Sequence, residues 1–237
     1  MKALQMKRNA ARLAIDYVED GMVLGMGTGS TAKEFMRFLA EKIANGLCVQ
    51  VVASSKDTEF FCRKNHIPLQ SIEDISHIDL CIDGFDEIDP RLRLIKGYGG
   101  ALLREKIIAH ESSRFIVIGD ESKRVDFLGQ GKLPIEIDPF GIRATMSSLR
   151  KIASCFGLKE DLQVRRSGDN LFVSDGGHHI IDAFFGFIPD PKSLSEELYT
   201  IPGVVEHGLF IGLVERAIIG TEDGTCSVLE NQEYLLE

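Results

Sequence analysis

No run of about 18 consecutive apolar residues occurs in the 237-residue sequence, so no membrane-spanning helix is expected. The five cysteines (Cys48, Cys62, Cys81, Cys155, Cys226) form no CxxC pair, and no histidine stands at zinc-finger spacing from them. An odd, widely spread set reads as reduced, mostly buried thiols in a cytosolic protein rather than as a disulfide framework. Positive charge is short: 27 Lys and Arg against 36 Asp and Glu leave a net charge of −9. Nucleic acid and anionic membrane are therefore not expected partners, because both call for a net basic face. An anionic ligand would have to be held by local donors. Met1–Tyr17 alternates apolar and basic residues and lacks the continuous apolar stretch of a secretory signal. Internal repeats and low-complexity linkers are also lacking. The 44% apolar and 27% charged residues are ordinary for a globular protein and argue against disorder. The length suits about one to two domains and lets the chain bury roughly 70–75% of its unfolded surface with no disulfide or metal staple.

The pattern predicts a helix over 2–19, ended by Gly21, and then a short apolar strand, Met22–Met26, running into Gly27-Thr28-Gly29-Ser30-Thr31. A helix over Ala32–Ala44 follows, with Phe35, Phe38, Leu39 and Ile43 on one face. The order repeats: Val49–Ala53 as strand, Thr58–Asn65 as helix, Ile78–Ile82 as strand, a glycine-rich loop, a helix around Leu102–Glu111, and Arg114–Gly119 as strand. Such alternation implies a doubly wound, mostly parallel α/β sheet with helices on both faces. Beyond about residue 125 the texture becomes that of a smaller α+β domain. Leu133–Asp138, Val164–Arg166, Leu171–Ser174 and His178–Asp182 read as strands, with Asp175-Gly176-Gly177 as a hairpin turn between the last two. Thr145–Cys155 and Ser193–Tyr199 read as helices, and the apolar Val204–Ile219 is expected to rejoin the first sheet. The expected division is a large domain of residues 1–126 plus 204–237 and a small domain of residues 127–203.

Polar chemistry collects in four segments. Gly27-Thr28-Gly29-Ser30-Thr31 joins a strand to a helix start, where backbone amides and three hydroxyls suit a phosphate. A plain helix cap from Ser30 or Thr31 is the competing reading. Neither a Walker A spacing nor G-x-G-x-x-G is present. Asp83-Gly84-Phe85-Asp86-Glu87 follows an apolar strand, where open α/β sheets bind ligands; an ordinary Asx turn with solvated charges would look the same. Lys96-Gly97-Tyr98-Gly99-Gly100-Ala101 leads into a helix bearing Arg104-Glu105-Lys106, and Lys123 follows the strand Phe115–Gly119. Each of these has a bland reading as charged surface. Together they suit proton transfer on a phosphorylated polyol, with one carboxylate moving a proton between adjacent carbons and a cation steadying the enediolate oxygen. The six histidines (His66, His77, His110, His178, His179, His207) do not join acids at ligand spacing, so no metal and no cofactor is expected. His178 and His179, adjacent in a strand, would point to opposite faces.

Gly25-Met26-Gly27-Thr28-Gly29-Ser30-Thr31-Ala32, Asp83–Glu87 and Lys96–Lys106 closely resemble the ribose-5-phosphate isomerase A family. The likeness runs almost end to end, through Gly119-Asp120-Glu121-Ser122-Lys123, Leu133-Pro134-Ile135-Glu136 and Ile201–Phe210. The resemblance implies reversible aldose–ketose interconversion of ribose 5-phosphate and ribulose 5-phosphate without metal, in the pentose phosphate pathway. It implies Glu105 as the proton-transferring base, Asp83 and Asp86 as carboxylates that hold sugar hydroxyls and assist ring opening, and Lys96 as the lysine near the reacting oxygens. Substrate contacts are implied at Thr28, Gly29, Ser30, Thr31, Asp83, Gly84, Phe85, Asp86, Lys96, Gly97, Tyr98, Gly99 and Lys123. A cytoplasmic homodimer or homotetramer is implied as well. Three positions depart from the family pattern: Phe85 where a small residue is usual, Tyr98 within a run usually all glycine, and His178 where Gly-Asn often follows the Ser174-Asp175 turn. A backbone that approaches a ligand closely tolerates side chains only when they turn away. Two other readings stand beside this one, an isomerase for another sugar phosphate and a non-catalytic sugar-phosphate sensor.

Overall fold

The computed structural model describes residues 2–231. They form two compact units, one of Met1–Phe85, Arg104–Arg124 and Gly212–Glu237, the other of Asp86–Leu103 and Val125–Ile211.

The first unit is built on a six-stranded sheet in the order Cys226–Glu230, Arg216–Gly220, Phe115–Asp120, Leu80–Asp83, Val23–Met26, Gln50–Ala53. All neighbours run parallel except Cys226–Glu230, which pairs antiparallel with Arg216–Gly220. The central strands Leu80–Asp83 and Phe115–Asp120 are buried at every position, as strands covered on both faces must be. Alternate side chains go to opposite faces. Leu24 and Met26 join Leu80, Ile82, Ile116, Ile118 and Ile218 under Phe35, Met36 and Leu39 of the helix Ser30–Ala44 and Ala10, Ala11 and Ala14 of the helix Lys2–Ala14. Gly25, between them, faces Ile108 of the helix Leu102–His110 on the other side. Alanines along the first helix let it lie close: a Cβ on Gly220 would stand 2.0 Å from the Met6 carbonyl oxygen. The helix Lys56–Lys64 follows the local rules, with Ser55 Oγ accepting from Thr58 N–H at 3.0 Å, acids in its first turn and Arg63 and Lys64 in its last.

The second unit holds an antiparallel sheet in the order Val204–His207, Leu133–Ile137, His179–Ala183, Leu162–Val164. Ile135, Ile137, Ile181 and Ala183 pack there against Leu149 and Ala153 of the helix Ile142–Cys155 and Leu194 and Leu198 of the helix Pro191–Leu198. Three short strands, Leu209–Phe210, Leu94–Ile95 and Glu87–Ile88, make a second antiparallel sheet.

The predicted parallel alternation matches this architecture. Three details differ. Residues 204–210 do not rejoin the first sheet: Val204–His207 bulges onto Leu133–Ile137, Leu209–Phe210 pairs with Leu94–Ile95, and only Arg216–Gly220 returns. Residues 86–103 belong to the second unit, so the chain passes between units more often than the expected two-part division allows. Leu171–Ser174 is not one strand: the hairpin runs from Arg166–Ser167 to Asn170–Leu171 and turns at Gly168, whose φ is +61°. The Asp175-Gly176-Gly177 turn closes instead on itself, from Ser174 N–H to the His178 carbonyl at 2.9 Å. Among the described residues no helix is long and apolar enough to cross a membrane.

Packing at Gly220 is tight against backbone, which cannot swing away. Gly220→Ala is expected to cost ~3 kcal/mol, against ~1 kcal/mol for the cavity left by Ile218→Val. Urea denaturation of the two variants compares them directly.

Candidate functional site

The strand Val23–Met26 runs between Gln50–Ala53 on one side and Leu80–Asp83 on the other, so the order of the sheet reverses there. Connections leave such a switch point toward opposite faces and open a crevice beyond the carboxyl ends of the strands. Two of the predicted segments begin at those ends.

Asp83 closes its strand with 1% exposure. Its Oδ1 accepts from Gly84 N–H at 2.6 Å and Thr28 N–H at 3.2 Å. Gly27 gives the carboxylate room: a Cβ there would stand 1.8 Å from Asp83 Oδ1. The next turn is held from the other flank, where Thr28 Oγ1 donates to Ser55 Oγ at 2.7 Å and lies 2.9 Å from Ser54 Oγ, and Thr58 Oγ1 donates to the Gly27 carbonyl at 2.9 Å. The Thr28 hydroxyl is thus engaged within the protein; of the other two hydroxyls expected to serve a phosphate, Ser30 is exposed and Thr31 is buried at 6% exposure. Neither of these caps the helix. The N-cap is Gly29, at φ +116°, and no side chain accepts a hydrogen bond there. Amides of the first turn and the positive end of the helix dipole are left for an anion. Lys7, which the sequence reading did not single out, donates from Nζ to Ser30 Oγ at 3.0 Å and lies 3.9 Å from Asp120 Oδ2.

Lys123 ends a short 3-10 turn after the strand Phe115–Asp120 and donates from Nζ to the Phe85 carbonyl at 2.9 Å. The Phe85 ring is buried against Gly119, where a Cβ would stand 2.4 Å from Phe85 Cζ. This departure from the family pattern therefore turns its side chain into the unit's interior. Glu105 lies in the first turn of the helix Leu102–His110, 5% exposed.

Asp86, Lys96 and the Gly97–Gly100 turn belong to the second unit. Asp86 donates its backbone N–H to the Ile95 carbonyl at 2.9 Å, and its Oδ2 accepts from Tyr98 N–H at 2.9 Å. Lys96 is buried, with its Nζ 5.4 Å above the Phe210 ring. Gly97–Gly100 is a four-residue turn closed by Gly100 N–H to the Gly97 carbonyl at 3.0 Å, with φ of +103° and +85° at its two ends. Tyr98 leans on the following loop: its Oη accepts from Lys132 N–H at 3.0 Å, and Lys132 Nζ lies 5.2 Å over its ring. Burial, with Glu87, Asp86 and Asp182 nearby, pushes the phenol up to about 12, against the lowering effect of the Lys132 N–H. The phenol is neutral at physiological pH. Glu87, the last acid of its motif, ties the same loop down, Oε2 accepting from Gly129 N–H at 2.7 Å and Oε1 from Gly131 N–H at 2.5 Å. The sequence reading gave Glu87 no such part.

The chain matches the family model described as Ribose 5-phosphate isomerase A (phosphoriboisomerase A) over residues 50–224. It is 55% identical over 224 residues to the ribose-5-phosphate isomerase A of Sinorhizobium medicae, covering 94% of this chain and 97% of that one. It is 50% identical over 234 residues to that of Bartonella quintana, covering 99% and 100%. A solved ribose-5-phosphate isomerase in complex with phospho-erythronic acid matches with a TM-score of 0.91 at 39% identity, over 97% of this chain and 100% of that one. The ribose 5-phosphate isomerase of Plasmodium falciparum matches with a TM-score of 0.90 at 38% identity, over 97% and 99%.

The Phe85–Gly119 contact makes a double-mutant cycle informative. Gly119→Ala alone drives a methyl into the ring and is expected to cost ~2 kcal/mol. In a Phe85→Ala background the same methyl has space, so the two changes should couple by at least ~1 kcal/mol. Additive losses in urea denaturation would show that the ring does not rest on Gly119.

Proposed function

Because the chain belongs to the ribose 5-phosphate isomerase A family, we infer that it interconverts ribose 5-phosphate and ribulose 5-phosphate. The observation that carries the reading is the uncapped N-terminus of the helix Ser30–Ala44 beside a buried, amide-held Asp83 at the sheet's switch point. A phosphate dianion suits amides and a dipole of that kind. Ser30 and Thr31 add their hydroxyls, and the ammoniums of Lys7 and Lys123 supply compensating charge. The remaining contacts, at Gly29, Gly84, Gly97 and Gly99, are backbone approaches.

The chemistry follows from the motif positions. Asp83 and Asp86 hold the sugar hydroxyls and help open the ring. The Glu105 carboxylate removes the proton from C2 of the open aldose, and the electron pair moves through C1 onto the carbonyl oxygen, giving the enediolate. Lys96 steadies the charge on that oxygen. Glu105 then returns its proton to C1 while the O2 proton passes to O1, which completes the ketose with no net gain or loss of atoms. One carboxylate serves as base and then as acid, so the reaction runs in both directions and needs no metal in this scheme.

A place in the pentose phosphate pathway follows from the family, and we assign the chain to the cytoplasm as a homodimer or homotetramer. The free cysteines support the first assignment. The second is supported by an exposed aromatic pair, Phe127 and Phe187, in edge contact at 4.8 Å; a monomer mass in sedimentation would remove it.

The test of the reaction is ketose formation from ribose 5-phosphate with EDTA present, expected at full rate. Glu105→Gln should lower turnover by roughly 10²–10⁴ with the circular dichroism spectrum unchanged. Near-normal turnover in that variant would take the base's role from Glu105.

A further inference from the structure

Arg165 is buried at 8% exposure in the second unit, directly after the strand Leu162–Val164. Its neighbour Arg166 is exposed. One edge of the Arg165 guanidinium meets Asp182: Nε lies 3.1 Å from both carboxylate oxygens, and Nη2 donates to Oδ1. The remaining nitrogen, Nη1, donates to the carbonyls of Gly97 at 3.0 Å and Tyr98 at 3.1 Å. Phe172 lies beneath the guanidinium, its ring centre 5.6 Å from Cζ, and also covers Gly100, where a Cβ would stand 2.4 Å from the ring. The glycine turn is therefore gripped at two successive carbonyls and backed at its far end.

This grip has a direction. No cis peptide occurs among the described residues, and a trans peptide points its N–H opposite its C=O. Fastening the Gly97 and Tyr98 carbonyls to Arg165 turns the Tyr98 and Gly99 amides away from it, and Asp86 takes the first of them. Only a planar guanidinium can present one edge to a carboxylate and still reach two carbonyls; a lysine ammonium cannot span both. Lys132, whose Nζ lies 2.8 Å from Asp182 Oδ2, keeps that carboxylate paired if Arg165 is changed.

We propose that Arg165 is a positioning residue, which sets the Gly97–Gly100 turn so that the Gly99 amide is presented to a substrate oxygen and Asp86 is oriented by the Tyr98 amide. The proposal rests on the reading of this turn as substrate-contacting. It acts through the backbone, so its signature is on the chemical step rather than on binding.

Hydrogen exchange of ligand-free protein reads the grip apart from catalysis. In Arg165→Lys the Tyr98 amide, held by Asp86 in the wild type, should exchange faster, with exchange in the core strand Phe115–Asp120 unchanged. In the same variant, kcat for ribose 5-phosphate should fall ~100-fold, the cost of a misplaced or missing donor, while KM changes by less than about threefold. Arg165→Ala should regain at least about tenfold in activity with added guanidinium and none with methylammonium. Unchanged exchange, wild-type turnover, or equal rescue by both cations would overturn the proposal. Failure of the functional reading is distinguishable: it would appear as inactivity of the wild-type chain on ribose 5-phosphate, with the exchange difference intact.

Discussion

The Asp83 carboxylate occupies the space that any side chain on Gly27 would fill, and the geometry of the first unit's sheet edge depends on that exchange. A buried carboxylate must be met by donors, and two backbone amides, from Thr28 and Gly84, meet this one. The first and third strands are thereby tied at their ends. Thr28 then reaches the other way, to Ser54 and Ser55 after the second strand. Three strand ends around one switch point are locked by a single carboxylate and a single hydroxyl. With the turn so held, Gly29 is free to adopt its positive φ, and the helix begins at Ser30 with its leading amides uncapped.

A second device recurs at the loops: an aromatic ring seated on a glycine. Phe85 lies on Gly119, Phe172 on Gly100, and Tyr98 on Gly131, whose added Cβ would stand 2.0 Å from the phenol oxygen. Two of these aromatics are the departures from the family pattern at positions 85 and 98. Their glycine partners explain how the bulk is absorbed. The Phe85 ring fills the first unit's interior while its carbonyl receives Lys123, and the Tyr98 ring leans on the 131–132 loop while its amide serves Asp86. In both cases the side chain is spent on packing and the backbone is left for polar work.

What the sequence made legible follows from how local each signal is. Parallel strands buried on both faces are short apolar runs, so Met22–Met26, Ile78–Ile82 and Arg114–Gly119 lie within two residues of the observed strands. Glycine-rich turns that follow them carry the candidate site in plain view. Contacts between distant segments were not legible. Nothing near Lys7 says that it meets Ser30, and nothing in Arg165-Arg166 says that one arginine is buried against Asp182 while the next is exposed. Val204–Phe210 is β-prone wherever it pairs, and nothing local tells that at Gly208 it passes so close to the Lys96 carbonyl that an added Cβ would stand 2.2 Å from the oxygen. The cap was ambiguous for a similar reason, because Ser30 and Thr31 are good caps by type, yet the N-cap is Gly29 and the helix begins at Ser30.

A chain with a net charge of −9 that binds a phosphate dianion poses an electrostatic question, and the buried acids answer it. Asp83 is met by two amides, Glu87 by two more, and Asp89 by the amides of Arg91 and Arg93 with the Arg93 guanidinium. Each of these carboxylates accepts from two backbone amides where it stands. Charges elsewhere on the surface are screened over about 8 Å at physiological ionic strength. The field at the helix start is then set by what lies close to it: the uncapped amides and Lys7 on Ser30, with Asp120 3.9 Å from the same ammonium. Net charge governs solubility and distant encounter in such a protein, whereas the potential at any one point of the surface is decided by the groups oriented around it.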